Sequence, residues 1–197
     1  EGNEGTGKST HIKYASDYLT QKKIDHIVTR EPGGTSFGES VRSILLDKNS
    51  DLDSLSEAML FYASRVFNYN NIILKALNDN KYVICDRFHY STLVYQGIAE
   101  NNETVIDLHK TLDSYFSEHI SLVFHLDASI ETCLNRIGSR EVSDKFEEQG
   151  EKFLIKIKTS YEKIFLENNK VTKILTDEDI SIVQKNIQKR LDVLINE

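Results

Sequence analysis

The sequence predicts an α/β fold, a parallel sheet flanked by helices. Three observations carry this. Helical and strand patterns alternate along the 197 residues, as a parallel sheet with helical crossovers requires. Tyr82-Val83-Ile84-Cys85 is a short apolar run, as suits a buried parallel strand. Gly2-Asn3-Glu4-Gly5-Thr6-Gly7-Lys8-Ser9 fits the phosphate-binding pattern G-x-x-x-x-G-K-[ST] at every fixed position.

The elements follow in order. The glycine-rich loop opens a helix over 8–22, where Ile12, Ala15 and Leu19 share a face. The strand expected before such a loop is placed upstream of Glu1. A strand over 24–29 leads to a polar loop, 30–35, and a short helix near 37–46. Ser54-Leu55-Ser56-Glu57 reads as a capping box opening a long helix to about Leu77. After the strand at 82–85 come helices near 91–98 and 103–115, then a strand over 122–126. A helix from about 130 reaches Arg136, and a charged segment with Gly138 and Ser139 runs on to Lys145. Phe153, Ile157, Tyr161 and Ile164 share a face of a helix over 147–167. A last strand, 172–175, precedes a helix striped by Ile180, Val183, Ile187, Leu191 and Leu194. No repeat, low-complexity tract or linker interrupts the pattern, so 1–197 reads as one domain.

Composition narrows the partners. A formal charge of −7 argues against a nucleic-acid polymer, whose binders carry basic surfaces. An anionic small molecule needs only a few local cations. No window holds the ~18 apolar residues of a membrane span. Cys85 and Cys133 are far apart and fit no metal motif, so both are expected as packed thiols in a reducing compartment. A cytoplasmic location follows as the expectation.

Candidate chemistry gathers at the loop and at strand ends, where ligands of open parallel sheets sit. The loop glycines let backbone N–H groups converge on phosphate oxygens. Lys8 reaches the outer phosphates, Ser9 is placed to ligate Mg²⁺, and the helix start adds its positive dipole end. Thr29-Arg30-Glu31-Pro32-Gly33-Gly34-Thr35 ends one strand, either as a binding loop or as a tight surface turn. Asp86-Arg87 ends another, as a Mg²⁺ carboxylate with a phosphate clamp or as a plain ion pair. Ser91, Thr92, Tyr95 and Gln96 lie on the helix that follows. Arg136, Arg140 and Lys145 suit a lid over phosphates, against the alternative of a solvated charged face. Phe61 and Arg65 stand one turn apart on one helix face. Phe61 could stack a base or simply fill the core.

These residues together resemble the thymidylate kinase family. The resemblance spans the chain and rests above all on "LFYASR" and "DRFHYSTLVYQG", with "EGNEGTGKST", "TREPGGT" and "SDKFEE" beside them. It implies a P-loop kinase fold with a five-stranded parallel sheet, a mobile lid near 136–146, and a homodimer. It implies transfer of the γ-phosphoryl of ATP to dTMP with Mg²⁺. The resemblance places ATP on residues 2–10, that is Gly2, Asn3, Glu4, Gly5, Thr6, Gly7, Lys8, Ser9 and Thr10. Glu4 would also stand near the acceptor sugar and, with Ser9 and Asp86, near the metal. Arg30 and Pro32 would line the monophosphate side, Phe61 would stack on thymine, and Arg65 would donate to its 4-oxygen. Thr92 and Gln96 would contact the base, Tyr95 the sugar, and Arg87 the acceptor phosphate. Lys8, Arg87, Arg136 and Arg140 would be the catalytic cations. Ser64, Asn68 and Lys145 depart from the family's usual Asp, His and Arg; lysine lacks arginine's bidentate fork.

The chemistry is consistent with that reading. Phosphoryl transfer needs alignment and charge neutralisation, and an ionised phosphate nucleophile needs no strong base. The absence of an obvious His–Asp pair among the motifs is then expected. A deoxynucleoside kinase, with a neutral hydroxyl acceptor, and a non-catalytic P-loop switch are the alternatives.

Overall fold

The computed structural model describes residues 1–139, 145–146 and 149–196. Helix α1 (Lys8–Gln21) follows the glycine loop and leads to strand β1 (His26–Arg30). Helix α2 (Ser36–Leu46) is capped by the Thr35 hydroxyl, and α3 (Ser54–Asn68) by the Asp53 carboxylate, which accepts from the Ser56 amide at 2.8 Å. The cap therefore lies one residue before the expected capping box. Glu57 does not reach back to close a box; its carboxylate is buried and accepts from Gln96 and Lys145.

The long helix is not regular to residue 77. It passes through a π-helical turn, Tyr69–Ile73, into α4 (Leu74–Asn78). Strand β2 (Tyr82–Asp86) is followed by α5 (His89–Thr92), which runs into a second π-turn, Leu93–Ile98. Tyr95 and Gln96 sit in that wider turn, a local form often found at functional sites. Then come α6 (Glu103–Ser117), β3 (Val123–Asp127), α7 (Ile130–Gly138), α8 (Gly150–Phe165), β4 (Val171–Leu175) and α9 (Ile180–Asn196).

β1 pairs with β2 in parallel, with Arg30 opposite Asp86. β3 pairs with β4 in parallel, with Asp127 opposite Leu175. The first three strands run one residue further than the apolar pattern suggests, taking in Arg30, Asp86 and Asp127. Backbone pairing continues after side-chain hydrophobicity stops.

Among the described residues β2 and β3 are not paired to each other. An apolar slot of about 470 Å³ lies between them, lined by Val83, Ile84, Phe124 and Leu126. At one end Glu1 donates its amino N–H to Phe124 O and accepts from the Leu126 amide, both at 3.0 Å. That alternation is the ladder of a parallel strand pair.

Helices cover both faces. Ala15 and Tyr18 of α1 and Val183, Ile187 and Leu191 of α9 pack on Leu126 and Ile174. Elsewhere Val94, Tyr95 and Val123 meet Ile157, Tyr161 and Phe165 of α8. These positions follow the 3.6-residue stripes of the sequence, and burying each large apolar side chain contributes roughly 1.5–3 kcal/mol. No helix among the described residues is long and apolar enough to cross a membrane.

Candidate functional site

The glycine loop is built for close approach. Gly7 caps α1 in the left-handed region (φ 82°) and places no side chain over the helix start. Its backbone N–H groups are thus left for an anion. Gly5 is also left-handed (φ 77°), and a Cβ there would lie 2.6 Å from Cys133 O. Thr6 Oγ1 donates to Asn3 O at 2.8 Å, and Asn3 Nδ2 to Leu154 O at 3.0 Å. Lys8 Nζ folds back onto Gly2 O (3.0 Å) and Asn3 O (2.6 Å). Burial, reinforced by Arg87, pushes the Lys8 ammonium down to about 8. Ser9 and Thr10 are exposed at the mouth.

Glu4 is the hub of the next layer. Tyr95 donates to its Oε1 at 2.8 Å and its Oε2 at 2.7 Å, and Arg87 Nη2 reaches Oε1 at 2.5 Å. Burial opposes charge on Glu4, but Arg87, Lys8 and the Tyr95 hydroxyl outweigh it and hold the carboxyl below its ordinary value. Arg87 has a left-handed backbone (φ 63°) and also reaches Ser91 Oγ at 3.2 Å. Its neighbour Asp86 ends β2 with a buried Oδ1 that has no hydrogen-bond partner among the described residues. An orphaned carboxylate oxygen and the Ser9 hydroxyl are hard donors, which fits Mg²⁺. Glu4 fits less well as a ligand, since both its oxygens are engaged.

A second group forms an apolar and polar pocket wall. Arg65 is buried, gives Nε to Glu31 Oε2 and gives Nη1 to Thr92 Oγ1 at 3.0 Å. Its Nη2 has no partner among the described residues. Asn68 holds the other Glu31 oxygen at 3.1 Å, and the Glu31–Pro32 bond is cis. Gln96 Nε2 donates to Glu57 Oε2 at 3.0 Å, and Lys145 Nζ to Glu57 Oε1 at 2.6 Å. The Phe146 ring lies 6.4 Å from Phe61 and 5.8 Å, edge-on, from Tyr95.

One cleft of about 220 Å³ joins both groups. Glu4, Gly5, Gly7, Lys8, Ser9 and Thr10 line one side; Pro32, Phe61, Arg65, Arg87, Thr92, Tyr95 and Gln96 line the other. Gly2, Asn3 and Thr6 support it from beneath, and Asp86 lies behind Lys8 in the strand slot.

Two expected site residues stand differently. Arg30 does not line the cleft: its guanidinium grips Glu39 (Nη2–Oε2 2.8 Å, Nε–Oε1 3.3 Å) on the surface. Arg42 takes the place beside Pro32, donating to Pro32 O at 3.1 Å and lining the cleft. Arg136 falls within α7, not at the start of a lid. Its Nη1 holds Gly5 O at 3.1 Å and its Nη2 holds Thr176 O at 2.7 Å, so it braces the loop backbone. Arg140 lies outside the described residues.

Sequence reading also missed Glu1, Glu31 and Glu57. Glu1 accepts from the Phe88 amide at 2.7 Å and from Ser91 Oγ at 2.5 Å, bracing the turn after Asp86. For Glu1 and Glu31 the one signal is a carboxylate inside an otherwise functional motif; Glu57 lies in a helix-capping pattern and carries none.

A phosphate loop and a base-sized pocket opening on one cleft define a P-loop phosphotransferase. The family model described as thymidylate kinase matches residues 1–187. The chain is 36% identical to the thymidylate kinase of Neorickettsia sennetsu, covering 96% of this chain and 94% of that one. It is also 36% identical to the Legionella pneumophila thymidylate kinase, with 99% and 93% covered. For the Caldicellulosiruptor saccharolyticus thymidylate kinase the identity is 34%, with 99% and 95% covered. This chain belongs to the thymidylate kinase family.

Proposed function

We infer that the cleft transfers the γ-phosphoryl group of ATP to dTMP, giving dTDP and ADP, as family membership implies. The observation that carries the residue assignments is the continuity of the cleft: phosphate loop and base pocket face one another across a single space. Phosphoryl transfer asks for two anions held end to end with their charge cancelled.

On the donor side the loop N–H groups and Lys8 cradle the triphosphate. Ser9 and Asp86 would hold Mg²⁺, which supplies charge neutralisation between the phosphates when bound. Arg136 keeps the Gly5 peptide in place from behind, and Arg140 is assigned to the lid. On the acceptor side Arg87, fixed by Glu4 and Ser91, faces the monophosphate, and Arg42 joins it where Arg30 was expected. Phe61 stacks on thymine beneath Phe146. Arg65 offers Nη2 to the 4-oxygen, Thr92 and Gln96 complete the base edge, and Tyr95 packs on the sugar.

Three further assignments belong to this reading. An extended segment entering beside Glu1 fills the slot between β2 and β3, making a five-stranded parallel sheet. Phe37, Met59 and Phe67 are exposed, and α2, α3 and α6 form an apolar groove there with Val66, Leu108 and Leu112. A second copy of the chain covers it, giving a homodimer. ATP and dTMP place the enzyme in the cytoplasm, with no nucleic-acid polymer or membrane as partner.

The test is ADP release from ATP and Mg²⁺ over a panel of nucleoside monophosphates, with thymidine alongside. Turnover on dTMP and none on thymidine is expected. Turnover on thymidine instead would make the chain a nucleoside kinase.

A further inference from the structure

Away from the phosphate cleft, α5 and α6 bring together three side chains that phosphoryl transfer does not use. His89 opens α5. His109 and Asp113 are one turn apart on α6 and so share a face. His89 Nε2 lies 2.8 Å from Asp113 Oδ1, and His109 Nε2 lies 4.0 Å from the same oxygen. One donor atom from each of the three falls within 4.8 Å of the others. The two imidazoles stack, with centroids 5.1 Å apart and planes 13° from parallel.

The shorter contact is a hydrogen bond and the longer one is not, and together they lie near the spacing of metal ligands. Nitrogen and oxygen ligands at roughly 2.0–2.2 Å from a tetrahedral ion are about 3.3 Å from each other. The observed 2.8 and 4.0 Å bracket that spacing. The surroundings fit as well. Tyr62 Oη meets His109 Nδ1 at 3.1 Å, the outer hydrogen bond that fixes a ligating imidazole. His89 Nε2 and Asp113 Oδ1 share a hydrogen bond that an ion would replace, while His89 Nδ1 is buried with no partner among the described residues. The Asp113 side chain is 41% exposed, which lets a water complete the set.

We propose that His89, His109 and Asp113 bind a zinc-like divalent cation, separate from the Mg²⁺ of the reaction. Two imidazoles and one carboxylate suit a late first-row metal and not Mg²⁺, which prefers oxygen. The bound ion ties α5, and with it the turn carrying Arg87 and the residues from Thr92 to Gln96, to α6.

Co²⁺ is the probe, added to the whole chain with Mg²⁺ present. One equivalent should produce the strong visible bands of four-coordinate cobalt, and Zn²⁺ should abolish them. Zn²⁺ should also raise the melting temperature. Asp113→Asn and His109→Gln should lose the bands. Tyr62→Phe should keep all three ligands but weaken Co²⁺ binding roughly 10–100-fold. Near-ultraviolet circular dichroism reports that each variant is folded. A wild-type spectrum showing only weak six-coordinate cobalt, or bands that survive both Asp113→Asn and His109→Gln, would overturn the site.

Discussion

Arg65 and Glu31 form an ion pair in which each side chain is only 1% exposed. The pair consumes Arg65 Nε, and Thr92 consumes Nη1, so the guanidinium is held flat with one edge turned to the cleft. Glu31 is in turn held by Asn68, and Asn68 by the Thr29 hydroxyl at 3.2 Å. The donor proposed to read the base is thus fixed through a chain of partners that begins at the end of β1.

Glu31→Ala leaves a buried guanidinium uncompensated, which costs roughly 3–5 kcal/mol. The Arg30–Glu39 pair offers the contrast, since its side chains are 53% and 45% exposed. Exposed pairs contribute about 0–1 kcal/mol, so Glu39→Ala should barely register. Urea unfolding of both variants checks the ranking. Equal losses in the two would mean that burial of the Glu31 pair is energetically irrelevant.

On the proposed assignment, base selection follows from the remaining edge of Arg65. Thymine presents a carbonyl oxygen there, whereas cytosine presents an amino donor. Two donors facing each other in a buried site cost roughly 1–3 kcal/mol or more. The thymine methyl, by comparison, is worth about 0.8 kcal/mol when buried. Turnover of dCMP should therefore fall further below dTMP than turnover of dUMP does. Comparable kcat/KM for dUMP and dCMP would remove Arg65 from base reading.

Much of this was legible because it is local. The glycine loop, the helix stripes and the order of strands are encoded in neighbouring residues, and the elements stand where the periods place them. Partners distant in sequence were not legible. Glu31 meets Arg65 34 residues on, and Glu57 meets Gln96 39 residues on. Nothing in the spacing announces either pair. Arg30 stands away from the cleft for the converse reason. Thr35 caps α2, and the helix then delivers Glu39 to Arg30, so a strand-end arginine is neutralised on the surface. Arg136 is expected in the lid from its place in a charged segment with Arg140 and Lys145, yet α7 runs on through Gly138 and takes it in.

On the proposed assignment, Lys8 should link nucleotide binding to pH. In the ligand-free chain its ammonium is depressed to about 8 by burial and Arg87. The phosphates of ATP favour the charged form and raise it. Below about pH 8 the proton is already present and binding takes up none. Above it, binding must recruit the proton, and affinity falls by up to about tenfold per pH unit until the bound-state value is reached. Calorimetric titration with ATP at about pH 9, in buffers of different ionisation enthalpy, should show proton uptake. Lys8→Met should show none, and should lose turnover while staying folded. Identical uptake in wild type and Lys8→Met would assign the proton to another group.

His125 should contribute to acid stability. It sits on β3 with its ring 5.3 Å from Tyr161 and 5.2 Å from Phe165, and it is 3% exposed. Burial lowers it from 6.5 to about 4, against the pull of Asp127, while the amino terminus and Lys173 add to the lowering. The sign follows from proton counting. Between those two values the unfolded chain holds a proton that the folded chain refuses, so stability falls as pH drops through this window. Above it neither state is protonated, and below it both are, so the contribution is flat at either end. A gap of that size corresponds to about 3 kcal/mol. His125→Gln removes the titration while keeping a polar side chain of similar reach. Its unfolding free energy should therefore depend less on pH between about 4 and 6.5 than that of the wild type, whatever its stability at neutral pH. Parallel profiles for the two proteins across this range would show that His125 takes up its proton equally in both states.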